Sequence, residues 1–211
     1  MTRLRTLRAS TLLLGSLLLA APALAAPQTY DIDPVHSRVE FTIRHLFSKV
    51  TGNFGAFKGT ILYDPASPAS SSVKAEIDAS SIDTNNDRRD GHLKSPDFFD
   101  VAKYPTLTFA STKVTPAGEG KFKIQGVLTM RGVSKPVTLD ASFLGAGPGM
   151  DGVPHAGFEA TTKVDRKDYG ILWNKALDQG GTLLGDDVSI NLEIEAATPK
   201  EEKASTAKAE K

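Results

Sequence analysis

The 211-residue chain has no cysteine and only one tryptophan. Without cysteine there is no disulfide, thiolate nucleophile, iron–sulfur cluster or covalently attached haem, and no lipobox for lipid anchoring. The core must therefore hold by burial alone. Charge of one sign is also missing, since 25 Lys and Arg balance 25 Asp and Glu. Without Arg3, Arg5 and Arg8 the rest of the chain carries 22 basic against 25 acidic residues, a formal charge of −3. That balance argues against a nucleic-acid partner. Beyond the first 25 residues no apolar run approaches the ~20 residues that a bilayer core requires. Histidine is scarce too. His36, His45, His92 and His155 have no spacing that brings three ligands together, and His36 and His45, nine apart around one strand, would face opposite sides if that strand is regular. No metal and no cofactor is expected.

What is present divides into three parts. Residues 1–25 carry Arg3, Arg5 and Arg8, an apolar run from Thr11 to Ala21, and the small-x-small sequence Ala23-Leu24-Ala25, the pattern of a secretory signal cleaved after Ala25. Cleavage one residue later would put Pro27 directly after the scissile bond. The arginines are not adjacent, so a twin-arginine signal is not expected. Residues 26–197 form one domain, long enough for a substantial core. The segment Thr198–Lys211 is Lys, Glu, Ala, Ser and Thr with no large apolar side chain, and nothing in it offsets the entropy of ordering.

Alternation dominates the domain. Val39, Phe41, Ile43 and His45 alternate with Arg38, Glu40, Thr42 and Arg44, the period-2 pattern of a strand wetted on one face. The same pattern recurs through Phe57, Ile61 and Tyr63, through Val73, Ala75 and Ile77, and through Leu107 and Phe109. It continues in Phe122, Ile124, Leu128 and Met130, in Val137, Leu139, Ala141 and Phe143, in Phe158, Ala160 and Val164, and in Val188, Ile190, Leu192 and Ile194. Short turn-like connections join these runs, which favours an antiparallel meander of about eight strands, either a closed barrel or a two-layer sandwich. Several inward positions are small: Ala75, Ser111, Gly126, Ala141 and Ala160. In a sandwich the opposite sheet must fill these gaps, whereas a barrel of about eight strands leaves room for one ligand.

One stretch breaks the pattern. Thr84–Pro105, TNNDRRDGHLKSPDFFDVAKYP, reads as a plug or lid, with Thr84 as the cap of a short helix over Asn85–Lys94 and Asp87 at the capping-box position. Ser95-Pro96 offers a second helical start carrying Phe98, Phe99 and Val101, which must end before Pro105. Arg89, Asp90 and His92 either stitch this plug to the rim, with Asp90 paired to an arginine, or meet a ligand's polar end. Arg166 has the same two readings, with Asp165 and Asp168 as its local partners. The segment Lys167–Gly185, which holds Trp173, is long for a barrel connection and reads as a cover or an entrance flap. Ser37 beside His36, and Ser95 near His92, lack the elbow or glycine-rich setting of a nucleophile, so no catalysis is expected.

The sequence RRDGHLKSPDFFDVAKYP closely resembles the RDxHLxSxDFFDxxxYP signature of the YceI-like family. YDIDPVHSRVEFTIRH (Tyr30–His45), GVLTMRGVSKPV (Gly126–Val137) and VDRKDYGI (Val164–Ile171) fit the same family in the same order. The resemblance covers Tyr30–Ala197. It implies an all-β, antiparallel, lipocalin-like barrel with a short helical plug, located in the periplasm and binding a long-chain isoprenoid such as a polyprenyl phosphate or quinone. The apolar pocket would then be lined by Val39, Phe41, Ile43, Phe57, Ile77, Phe109, Phe122, Ile124, Leu128, Ala141, Phe143, Phe158, Ala160 and Ile190, with Arg89, His92 and Arg166 at the rim. A membrane or membrane protein that donates or accepts the lipid is compatible with this reading, and the oligomeric state is open. The rival reading is a fully packed barrel acting through its surface on an envelope or redox partner. The amino-terminal reading predicts that the exported protein begins at Ala26. Its intact mass checks this, and a mass that retains Leu12–Ala21 would contradict it.

Overall fold

The computed structural model describes residues 26–178 and 180–199. The cleavage site and most of the carboxy-terminal segment lie outside them. Eleven strand segments form one antiparallel sheet that closes on itself. In chain order they are β1 (Gln28–Ile32), β2 (Arg38–His45), β3 (Ser48–Phe54), β4 (Phe57–Tyr63), β5 (Ser72–Asp78), β6 (Ile82–Asp83), β7 (Thr106–Pro116), β8 (Lys121–Met130), β9 (Val133–Pro148), β10 (Pro154–Asp165) and β11 (Leu184–Ala197). The first six segments pair off into three interrupted strands. β1 and β4 pair at one end while β2 and β3 pair at the other, and β4–β5 and β3–β6 repeat the arrangement. The result is an eight-stranded closed barrel, as the meander pattern predicted.

Closure depends on β11. One edge of it pairs with β10 from Asp187 to Ala197, and the other pairs first with β1 at Ala196 and Ala197 and then with β2 as far as Leu184. The break between β1 and β2 is fastened to the same strand. The amide of Asp33 donates to the carbonyl of Glu195 at 2.9 Å, and the Ser37 hydroxyl both donates to that carbonyl and accepts from the Glu195 amide, each at 3.0 Å. His36 therefore sits in the break rather than on a strand, with Nδ1 2.8 Å from the Asp33 carboxylate. His45 at the far end of β2 points into the barrel.

The interruption folds differently from expectation. The helix α1 spans Asp87–Lys94 and is capped by Asn86, whose side chain accepts from the amide of Arg89. Asn85, at φ 57°, is the bend before it. Thr84 cannot serve as the cap because it is buried and bonded elsewhere. The second helical start is a run of turns instead: the amides of Phe98 and Asp100 both donate to the Ser95 carbonyl, and Asp100 turns the chain at φ 50°. Consecutive turns let Phe98 and Phe99 both reach the barrel interior, which one helical turn would not.

The contact between Asp33 and His36 titrates. The hydrogen bond to Asp33 raises the His36 imidazole above its ordinary value of 6.5, and the same bond holds Asp33 below the usual 3.8. The raised histidine contributes stability below about pH 6.5 that is lost as pH rises through its folded value, and the lowered aspartate contributes above about pH 4 and is lost on acidification. An NMR titration should place the His36 midpoint above that of an ordinary histidine, and Asp33→Asn should lower it. A midpoint unmoved by the substitution would contradict this contact.

Candidate functional site

The barrel interior is divided along its axis. At the end away from α1, the rings of Tyr63 and Phe143 stack at 4.7 Å between centroids, and Phe122 and Phe158 meet Tyr63 edge-on at 6.2 and 5.7 Å. Phe122, Ala141, Ala160 and Leu192 are register neighbours across β8, β9, β10 and β11, and the two alanines are buried. The aromatic rings fill the space those small side chains leave. This packed floor takes six of the residues expected to line a pocket: Phe122, Ile124, Ala141, Phe143, Phe158 and Ala160 are outside the cavity. Alternation identifies inward residues but carries no information about depth, so the gaps read from small residues are filled here by rings.

Above the floor lies a cavity of about 860 Å³, in the upper part of the ~300–1,000 Å³ range of small-molecule sites. Val39, Phe41, Ile43, Phe57, Ile77, Phe109, Leu128 and Ile190 line it, as their alternation placed them, together with Ala75. Phe109 lies over Gly126. A Cβ at that glycine would come within 2.4 Å of the ring, so the missing side chain lets the ring lie back against β8. The lid also contributes. Leu93, Phe98 and Phe99 from the plug and Ile171 and Trp173 from the segment after β10 complete the lining. In the sequence Phe98 was marked as part of a second helical turn and Trp173 only as part of the long segment after β10, and no periodicity assigned either one an inward face.

Both lid segments are held by polar contacts. In the plug, the Asp90 carboxylate accepts from the Thr84 amide at 3.0 Å and from the Thr84 hydroxyl, while Arg89 donates Nε to that hydroxyl and Nη2 to the Thr84 carbonyl, both at 2.7 Å. The expected pairing of Asp90 with an arginine is replaced by Thr84, which stands between them. His92 bonds Asp97 at 2.8 Å, and its ring meets Phe98 and Trp173 edge-on, each at 5.0 Å. Arg89, His92 and Arg166 all border the cavity, and so do Asn86 and Arg88.

Arg166 is the anchor of the flap. It is 3% exposed and opens a short 3₁₀ turn (Arg166–Tyr169), which Asp165 caps by accepting from the amide of Lys167. Its Nη1 donates to the carbonyls of Ile171 and Trp173 at 2.7 and 2.8 Å, Nε to that of Gly185 at 2.9 Å, and Nη2 to Asp186 at 3.2 Å. Asp186, not Asp165 or Asp168, is its charged partner, and the hydrogen bond and charge of Lys167 together with Arg166 hold that carboxyl below its usual range. Arg131 ties the flap to the plug, donating Nη2 to the Pro96 carbonyl at 2.7 Å and Nη1 to that of Gly170. Arg131-Gly132 is a two-residue hairpin turn with both φ positive, and a side chain at Gly132 would strike the Tyr104 ring. Next to Arg166, burial pushes the Tyr169 hydroxyl up to about 12.

The serine–histidine pairs do not form: Ser37 is bonded to Glu195 and Ser95 to the amide of Asp97. The sequence did not foresee one grouping. Asp33, His36 and Glu195 bring their ligand-type atoms within 4.8 Å of one another on the outside of the barrel. Asp33 and His36 are engaged with each other, and the Glu195 carboxylate accepts from His155 at 2.9 Å.

Arg166→Met should leave the carbonyls of Ile171, Trp173 and Gly185 without their donor and cost roughly 2–4 kcal/mol. Thermal unfolding checks the cost, and proteolysis within 170–183 checks its location. A variant as stable and protease-resistant as the parent would show that the flap is held by something else.

Comparison with known proteins agrees with this architecture. An UPF0312 protein of Vibrio cholerae is 42% identical over 142 residues, 67% of this chain and 75% of the relative. The crystal structure of Burkholderia cenocepacia BcnA superposes with a TM-score of 0.70 at 25% identity, covering 78% of this chain and 99% of that one. A polyisoprenoid binding domain from Saccharophagus degradans, implicated in plant cell wall breakdown, shares the fold at 16% identity and a TM-score of 0.57, covering 81% of this chain and 98% of that domain. The YceI-like domain matches residues 30–196, and the chain belongs to that family.

Proposed function

We propose that this protein is a periplasmic carrier or sequestering protein that holds one long-chain isoprenoid lipid in the barrel and does no chemistry on it. The observation that carries the reading is the apolar cavity of about 860 Å³ above a packed floor, covered by a lid. An empty volume of that size would forgo contacts that a filled interior makes, and a rival barrel acting only through its surface has no use for it. Each buried methylene contributes roughly 0.8 kcal/mol, so an extended apolar tail supplies affinity without directional contacts. The isoprenoid class is supported by family membership and by the likeness to the polyisoprenoid binding domain from Saccharophagus degradans. The periplasmic location rests on the amino-terminal pattern of residues 1–25. Polar side chains that border the cavity, Asn86, Arg88, Arg89 and His92, would meet the head group.

Two substitutions separate a cavity from a packed interior. Ala75→Phe adds volume to the cavity and should abolish retention of lipid in native mass spectra while leaving the melting temperature of the delipidated protein nearly unchanged. Ala160→Phe adds the same volume to the floor and should cost about 1–3 kcal/mol by overpacking. Equal destabilisation by both, with no lipid adduct on the parent protein, would favour the packed barrel.

A further inference from the structure

The hairpin joining β2 to β3 is built at a cost that folding does not repay. His45 pairs with Ser48, leaving Leu46-Phe47 as a two-residue turn. Leu46 takes φ 49°, a conformation that glycine, asparagine or aspartate adopts far more readily. Phe47 at the tip is fully exposed, with a relative accessibility of 103%. Just behind the tip Arg44 and Lys49 stand directly opposite each other in the ladder, and like charges in that arrangement repel. Neither has a carboxylate within ion-pair distance among the described residues; Arg44 donates only to the Leu46 carbonyl.

The position of this hairpin gives the arrangement a purpose. Ile43, His45 and Val50, in the same two strands, line the cavity. The Leu46 amide donates to the Leu183 carbonyl, and the Leu183 amide in turn donates to that of Lys175, so the tip abuts the flap. Lys175 and Arg88 add exposed cations at this end, and neither has an ion-pair partner among the described residues. Acidic groups on the segments at this end are Asp83, which accepts from the Asn85 amide, Asp87 in the first turn of α1, Asp97, bonded to His92, Asp178 in the flap that carries Lys175, and Asp186, already shared by Arg166 and Lys167. The opposite end differs in sign. Its exposed Val35 and Met150 lie beside Asp33, Asp151 and Glu195.

We infer that the β2–β3 hairpin is a docking surface for an anionic lipid bilayer, with Phe47 entering the interface and Arg44 and Lys49 meeting lipid phosphates, so that the cavity entrance faces the membrane. A phenylalanine tip backed by unpaired cations is the combination that partitions to such an interface, and phosphate relieves the repulsion between the paired cations. The exposed phenylalanine backed by two facing cations selects this hairpin over the other end, where exposed Val35 and Met150 lie beside carboxylates. The inference rests on the carrier reading for its purpose, but it is tested independently of it.

Flotation of the purified protein with vesicles of phosphatidylethanolamine and phosphatidylglycerol (3:1), against phosphatidylcholine vesicles, reads it directly. The parent should bind the anionic vesicles, and binding should weaken as salt rises from 0.05 to 0.5 M, because screening shortens from ~14 to ~4 Å. Phe47→Ser should lower partitioning about tenfold and Lys49→Gln about fivefold, while Met150→Ser at the far end should change nothing. Because these positions are exposed, melting temperature should fall in none of the three, and Lys49→Gln, which removes the facing like charge, should if anything raise it slightly. A parent protein that binds no vesicles, as it would if Phe47 docks on a protein partner, overturns the inference, and so does a Phe47→Ser protein that floats like the parent. Either result leaves the cavity reading intact if native mass spectra still show a retained lipid, whereas vesicle binding without a retained lipid would leave docking standing and remove the carrier reading.

Discussion

Closure of the sheet through β11 is the constraint on which the rest of the molecule depends. A strand paired along both edges has no free N–H or C=O ladder to expose, and it fixes the circumference at eight strands. A ring of that size can be filled by side chains or can hold one small ligand, and with inward positions as small as Ala75, Gly126, Ala141 and Ala160 the chain must fill the remaining space with rings, lids or a ligand. It supplies rings at one end, where Tyr63, Phe122, Phe143 and Phe158 converge over Ala141 and Ala160. At the other end it supplies a lid, and the lid does not fill the space beneath it. The segment Asp33–Ser37 belongs to the same logic. It lets the first strand change partners along β11 without opening the seam, because Ser37 and Asp33 take over the backbone groups of Glu195.

The lid is a different kind of structure from the wall it covers. Its backbone is irregular, so its carbonyls need donors that a ladder would otherwise provide. Arginines fill that role: Arg166 serves Ile171, Trp173 and Gly185, Arg131 serves Pro96 and Gly170, and Arg89 serves Thr84. A planar guanidinium can bond several carbonyls from one position, which an ammonium cannot match in geometry. Arg89 and Arg166 were candidates for contacting a ligand head group. Both are largely committed to holding the lid's backbone, which leaves Arg88, without a protein partner among the described residues, as the more available cation beside the cavity.

Much of the barrel was legible in the sequence because period-2 alternation is a local consequence of strand geometry. Val39, Phe41 and Ile43 point inward for the reason their spacing indicates. Depth along the axis was not legible, since Phe122 and Leu128 lie on one face of β8 yet end in the floor and the cavity respectively. Which inward residues share a layer depends on strand stagger, a property of the closed barrel as a whole. The plug was recognisable as an interruption, but its cap shifted from Thr84 to Asn86 because tertiary contacts with Arg89 and Asp90 claimed the threonine. Arg166 illustrates the same limit: its nearest acids in sequence are Asp165 and Asp168, while its partner Asp186 arrives from the far side of the flap.

Trp173 is the only tryptophan, and it borders the cavity between the flap and His92. Its fluorescence therefore reports on the space proposed to hold the lipid. The most direct measurement is a titration of delipidated protein with an isoprenoid whose tail carries bromine, a short-range quencher. Quenching should saturate at one lipid per protein and be lost in Ala75→Phe. Quenching that never saturates, or that is the same in parent and variant, would contradict it.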